Sequence, residues 1–107
     1  MDQAAYVSRV LDLHRKLPGA LARVLRDDRR TAIDLYQRSI PIEIVENAFT
    51  LVIARRARRP DDEPLDPIRT LRYILPVIEE ILATPPQPGY IRYLEHRLSE
   101  IRPGTLD

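Results

Sequence analysis

The segment from Pro41 to about Arg58 limits the fold more than any other part of this chain. Pro41 suits a first helical position, where its missing N–H would have had no intrahelical partner. Beyond it, Ile42, Ile44, Val45, Ala48, Phe49, Leu51, Val52 and Ile53 cover most of a helical circumference. Glu43, Glu46, Asn47, Thr50 and Ala54 leave only a narrow polar strip. A helix apolar on nearly every side must be enclosed by other elements. It is also short for a membrane helix and carries two glutamates. It therefore reads as the central helix of a helical domain. Arg55, Arg56, Arg58 and Arg59 close it, where the helix dipole favours positive charge.

Ten prolines and three glycines divide the rest of the chain into further helical blocks. The first runs from about Gln3 to Leu17 and ends at Pro18-Gly19. Val7, Val10, Leu11 and His14 form one stripe at helical spacing, and Tyr6, Val10, Leu13 and Leu17 an overlapping one. Two stripes exceed the needs of a single packing face, which leaves open a place deep in the core or a homodimer contact. The second block spans Ala20 to about Ser39, with Leu21, Val24 and Leu25 and then Ala32, Leu35 and Tyr36 on its apolar face. Asp27-Asp28-Arg29-Arg30 interrupts it, and either aspartate can cap a new helix, so one bent helix or two short ones are both open.

After the central helix, Pro60 to Pro64 encloses Asp61, Asp62 and Glu63 in an acidic loop, expected to be the most mobile segment. A fourth helix is expected from an Asp66 cap and Pro67, with Ile68, Leu71, Leu75, Ile78 and Leu82 as its stripe and Ile74 and Ile81 beside it. Pro76 lies inside this block, removing an N–H and opposing the carbonyl of Arg72, so a kink or break is expected near Tyr73. Thr84 to Pro88 reads as a stiff linker. The last block, from Pro88, buries Ile91, Leu94, Leu98 and Ile101 before Pro103-Gly104. No strand-like alternation with hairpin turns interrupts the series, and no internal repeat is present. The expected fold is one compact, bundle-like all-α domain over residues 1–107, with about five helices and the fourth kinked or broken at Pro76.

Several functional classes fall away on composition. The chain has no cysteine, which removes disulfides, thiolate metal sites and cysteine nucleophiles. His14 and His96 are far apart, no carboxylate spacing completes a transition-metal site, and no cofactor is expected. Seventeen basic against sixteen acidic residues give a net charge of +1, far from the excess of a strongly nucleic-acid-binding domain. The basic set is all arginine except Lys16, which suits phosphate binding or ion-pair networks and also follows from GC-rich coding. Met1-Asp2-Gln3 lacks the basic and apolar regions of a secretory signal, so a cytoplasmic location without membrane contact is expected. Phosphate-cradling glycine loops, nucleophile elbows and zinc-protease motifs are absent. Glu79-Glu80 suggests acid–base chemistry, but adjacent helical positions point about 100° apart, so one is expected in solvent and the other on an arginine. The expectation is a protein that is not an enzyme.

Three binding readings remain. Residues 31–53 have loose helix-turn-helix spacing about Ser39-Ile40-Pro41, but the second helix would present Glu43, Glu46, Asn47 and Thr50, and only Asn47 suits base reading. Arg55, Arg56, Arg58 and Arg59 can neutralise phosphates, or form a solvated helix end paired with the acidic loop, which is the favoured reading. In the last block Tyr90, Tyr93 and Arg97 share a flank, with Arg92 and His96 nearby. Tyrosines between arginines stack on unpaired bases, make protein-contact surfaces, or simply pack rings inward.

RRTAIDLYQRSIPIEIVENAF and PIRTLRYILPVIEEIL resemble segments of small uncharacterised helical bacterial proteins associated with plasmids, phages and transposable elements. The second also resembles DnaD-like helical domains of helicase loaders and plasmid initiators, where a basic strand-contacting segment leads into a tyrosine-bearing helix. The resemblance covers residues 28–82 and implies a tie to replication or mobile DNA. It departs at Ser39, where such proteins usually carry glycine, and no winged-helix pattern stands ahead of it in these residues. No functional residue carries over from it.

The leading expectation is a helical interaction module, an accessory factor in bacterial DNA metabolism or mobile-element biology. It docks a protein partner, with weak DNA or RNA contact through the arginine cluster. The alternatives are direct phosphate-backbone binding by that cluster with Arg92, Tyr93, His96 and Arg97, and a structural or antitoxin-like protein with a tight partner.

Overall fold

The computed structural model describes residues 1–18, 24–58 and 67–100. Five α-helices and one 3-10 turn follow in order: α1 (Gln3–Lys16), α2 (Arg26–Gln37), α3 (Ile42–Ala57), the 3-10 turn (Leu71–Ile74), α4 (Leu75–Ala83) and α5 (Tyr90–Glu100). The domain is an all-α bundle, and no strand is formed among the described residues. Arg59, Leu21, Asp61, Asp62, Glu63, Asp66, Ile101, and the Gly19 and Pro103-Gly104 stops lie outside the described residues.

The apolar circumference of α3 explains the architecture. Val45, Ala48, Phe49, Leu51, Val52 and Ala54 are buried, and α3 touches α1, the 3-10 turn, α4 and α5. Ala54, expected on the polar strip, belongs to the core. Pro41 stands one residue earlier than expected, as the N-cap with extended backbone. Helix α1 lies against α2 and α3, and of its two stripes Tyr6, Val7, Val10, Leu11, His14 and Leu17 are buried while Leu13 is half-buried. Asp2 starts it by accepting a hydrogen bond from the Ala5 N–H at 2.8 Å.

The region around Asp27-Asp28 starts one helix rather than bending one. Leu25 is extended, Arg26 begins α2, and Asp28 caps from the third helical position by accepting the Leu25 N–H at 2.9 Å. At its other end α2 stops in a Schellman motif. The Ser39 N–H reaches the Tyr36 carbonyl at 2.9 Å and the Ile40 N–H the Leu35 carbonyl at 3.2 Å, while Leu35 and Ile40 are buried. Ser39 takes φ 60° to make this turn. A residue with a Cβ pays about 1–2 kcal/mol in that region, against a smaller entropic loss for glycine. Ser39→Gly is therefore expected to stabilise the protein by about 0.5–1 kcal/mol, read as a raised urea midpoint with an unchanged slope.

The fourth block differs most from expectation. No α-helix starts at Pro67. Residues 67–70 are non-helical, with Ile68 buried between exposed Pro67 and Arg69. The 3-10 turn follows, and α4 begins only at Leu75, so Pro76 falls in its first turn rather than its interior. The Leu75 N–H closes the 3-10 turn on the Arg72 carbonyl, so the missing proline N–H leaves no interior gap. Three residues per turn also change the buried row. Ile68, Leu71, Ile74, Ile78 and Ile81 form it, whereas Leu75 is half-buried and Leu82 is 41% exposed. In α5, Leu94 is buried and Ile91 and Leu98 are half-buried.

Candidate interaction surface

Helix α5 carries its apolar positions toward α3 and its aromatic positions outward. Tyr90 and Tyr93 are 38% and 50% exposed, and their rings stack with centroids 6.4 Å apart and planes 25° apart. Arg97, one turn on, lies 5.9 Å from the Tyr93 ring centroid and donates to the Tyr93 hydroxyl at 3.3 Å. This row has the i, i+3, i+7 geometry of one helix face. Arg92 and His96 are exposed on the same helix. The rings do not pack inward.

The C-terminal end of α3 meets α5 near Tyr90. Arg55 forms a two-pronged pair with Glu80 of α4, one prong at 3.0 Å. These hydrogen bonds hold the Glu80 carboxyl below its ordinary range. Beside the pair lies a groove of about 320 Å³, lined by Leu51, Ile81, Pro86 and Tyr90 among others. The structure thus brings Arg55 and Tyr90, separated by a third of the chain, to one place. Arg56 points elsewhere, 5.8 Å from the Tyr73 ring centroid and 3.3 Å from its hydroxyl. Arg58 is exposed at the helix cap and meets no carboxylate among the described residues.

Arg55 pairs with Glu80 across the helix packing, and the acidic loop expected to pair with the arginine cluster lies outside the described residues. One sequence expectation about charge needs correction. Both members of Glu79-Glu80 meet arginines, Glu79 reaching Arg38 at 2.8 Å, so neither carboxylate is the solvated one. Of the carboxylate strip of α3, Glu46 holds Arg9 of α1 at 2.9 Å and Glu43 is exposed.

The sequence reading missed one buried polar cluster. Asp28 and His14 are both 1% exposed, with Asp28 Oδ2 3.6 Å from His14 Nε2. Asp28 accepts the Leu25 N–H and, at 2.8 Å, the Leu71 N–H at the start of the 3-10 turn. One carboxylate therefore joins α2 to the 3-10 turn under α1. His14 Nε2 has no hydrogen-bond partner among the described residues. No spacing marks Asp28 as internal, because within RDDRR either aspartate reads equally well as a helix cap.

Among the described residues no three His, Cys, Asp or Glu side chains converge to hold a metal ion, and no helix is long and apolar enough to cross a membrane. Comparison with protein-family models, curated proteins and solved structures gives no match.

Proposed function

We propose that this protein is a non-catalytic helical interaction module, an accessory factor in bacterial DNA metabolism or mobile-element biology, that docks a protein partner through the outer face of α5. The observation that carries this reading is the exposed Tyr90–Tyr93 stack braced by Arg97. Tyrosine and arginine are the residues enriched at protein interface cores. Rings already fixed against each other lose little freedom when covered, so more of their burial remains as affinity. A protein partner is favoured over phosphate at this site because Glu80 already neutralises Arg55 and Arg56 lies on Tyr73. Arg58 remains for weak phosphate contact at its edge. The link to DNA metabolism is supported by the resemblance of residues 28–82.

The test is affinity purification of wild type and Tyr90→Ala/Tyr93→Ala from native host cells, with co-purifying proteins quantified. A stoichiometric partner is expected on the wild type and reduced at least about tenfold on the variant, equivalent to about 1.4 kcal/mol. Circular dichroism should be the same for both, since the two rings are exposed. Equal recovery on both proteins, or no partner on either, overturns the reading.

A further inference from the structure

A second surface is visible only once the chain is folded. The outward arc of the first turn of α2 carries Arg26, Arg29 and Arg30, all exposed. At 100° per residue these three fall within about a third of the helix circumference, opposite the inward-pointing Asp28. The hydrogen bonds of Asp28 to the Leu25 and Leu71 N–H groups hold this turn against the start of the 3-10 turn. That contact brings up Arg72, whose Nε lies 3.7 Å from Asp27 Oδ2, and the exposed Arg69 three residues before it. Asp27 is the only carboxylate among the described residues that any of these five arginines meets, and that contact is long and mostly exposed. Arg26, Arg29, Arg30 and Arg69 meet none among the described residues.

From this we infer that Arg26, Arg29, Arg30, Arg69 and Arg72 form a contact surface for the phosphate backbone of duplex nucleic acid. The chain's net charge of +1 conceals this because four acids are engaged elsewhere, Glu46 with Arg9, Glu79 with Arg38, Glu80 with Arg55 and Asp12 with Lys16, while Asp34 stands exposed one turn after Arg30. The positive end of the α2 dipole adds to the same field. Backbone rather than base contact follows from the side chains available. The tyrosine of α2, Tyr36, is half-buried edge-on to Tyr6, and Tyr73 is engaged with Arg56, so no ring on this arc is free to stack on a base. Guanidinium groups on flexible stems match phosphate oxygens without reading sequence. This surface is independent of the Tyr90–Tyr93 face, and the protein would carry a partner on α5 and a duplex on α2.

The experiment is fluorescence anisotropy of the full chain with a short labelled duplex of mixed sequence, titrated between about 50 and 200 mM salt. Binding in the micromolar range is expected at low salt, with log K falling by about 0.9 per phosphate neutralised against log salt. Arg26→Gln/Arg29→Gln/Arg30→Gln should weaken binding at least about tenfold and flatten the slope by about two to three. Arg69→Gln/Arg72→Gln, which leaves α2 untouched, should flatten it by about one to two. Arg92→Gln/Arg97→Gln should change neither. Absence of wild-type binding at low salt, or loss confined to the Arg92/Arg97 variant, overturns the assignment. So does polyglutamate binding as tightly as the duplex, which would give the surface to an acidic protein.

Discussion

Asp28→Ala is expected to lower the unfolding free energy by about 3 kcal/mol, more than removal of any surface ion pair in the molecule. The alanine leaves the part-buried Leu25 N–H and the buried Leu71 N–H without their acceptor. Each loses a hydrogen bond to a charged acceptor, worth about 1.5–3 kcal/mol, and relief from burying the carboxylate offsets part of the sum. Asp28→Asn keeps one acceptor oxygen for one of the two donors and should fall about midway. Urea melts at neutral pH with circular dichroism read both losses. A change below about 1 kcal/mol for the alanine variant would show that the joint between α2 and the 3-10 turn is held by apolar packing instead.

The second large effect is on pH dependence. Burial holds the His14 imidazole below its ordinary value of 6.5, and the neighbouring Asp28 only partly opposes this. The unfolded chain therefore binds a proton at His14 under conditions where the folded chain does not. Its contribution is intact above the ordinary histidine value and is lost as pH falls below it, at up to about 1.4 kcal/mol per pH unit, until the folded form also takes the proton. Melting temperatures of wild type should accordingly drop between about pH 7.5 and 5.5, a window set at roughly one unit above and below the ordinary histidine value. His14→Leu, close in volume but with no titratable group beside Asp28, should show a shallower drop by the weight of that one proton. The carboxyls of Glu80 and Asp12, held low by Arg55 and Lys16, begin to lose their partners only at more acid pH and leave this window clear. Equal slopes for the two proteins would mean that His14 takes its proton in place.

The helices were legible where one face or the whole circumference is apolar. Val7, Val10 and Leu11 place α1, the Ile42–Ile53 series places α3, and Ile91, Leu94 and Leu98 place α5. The fourth block was not, because Ile68, Leu71, Ile74 and Leu75 satisfy a 3.6-residue period almost as well as a period of three. The Asp28 contact to the Leu71 N–H, distant in sequence, holds the start of the tighter turn. The Tyr90, Tyr93 and Arg97 row could be read from spacing alone, since one helix carries all three. The partner of Arg55 could not, because Glu80 comes near only when α3 and α4 pack. The same holds for the α2 surface: Arg26, Arg29 and Arg30 are far in sequence from Arg69 and Arg72, and nothing local ties the two sets together.

Glu79 and Glu80 are neighbours in sequence, yet one reaches back to Arg38 at the end of α2 and the other across to Arg55 of α3. Each pair is about half exposed and adds little to stability by itself. Their directions matter more than their strength. The two carboxylates leave α4 about 100° apart and are gripped from two sides, so rolling the helix either way about its own axis breaks at least one of them. Helix α4 is nine residues long and has no side-chain cap at its start. Isoleucines of similar bulk on its inner face would tolerate several rotational settings, and the acidic pair selects one. In this helix the apolar row drives association, and the charges fix the orientation in which it occurs.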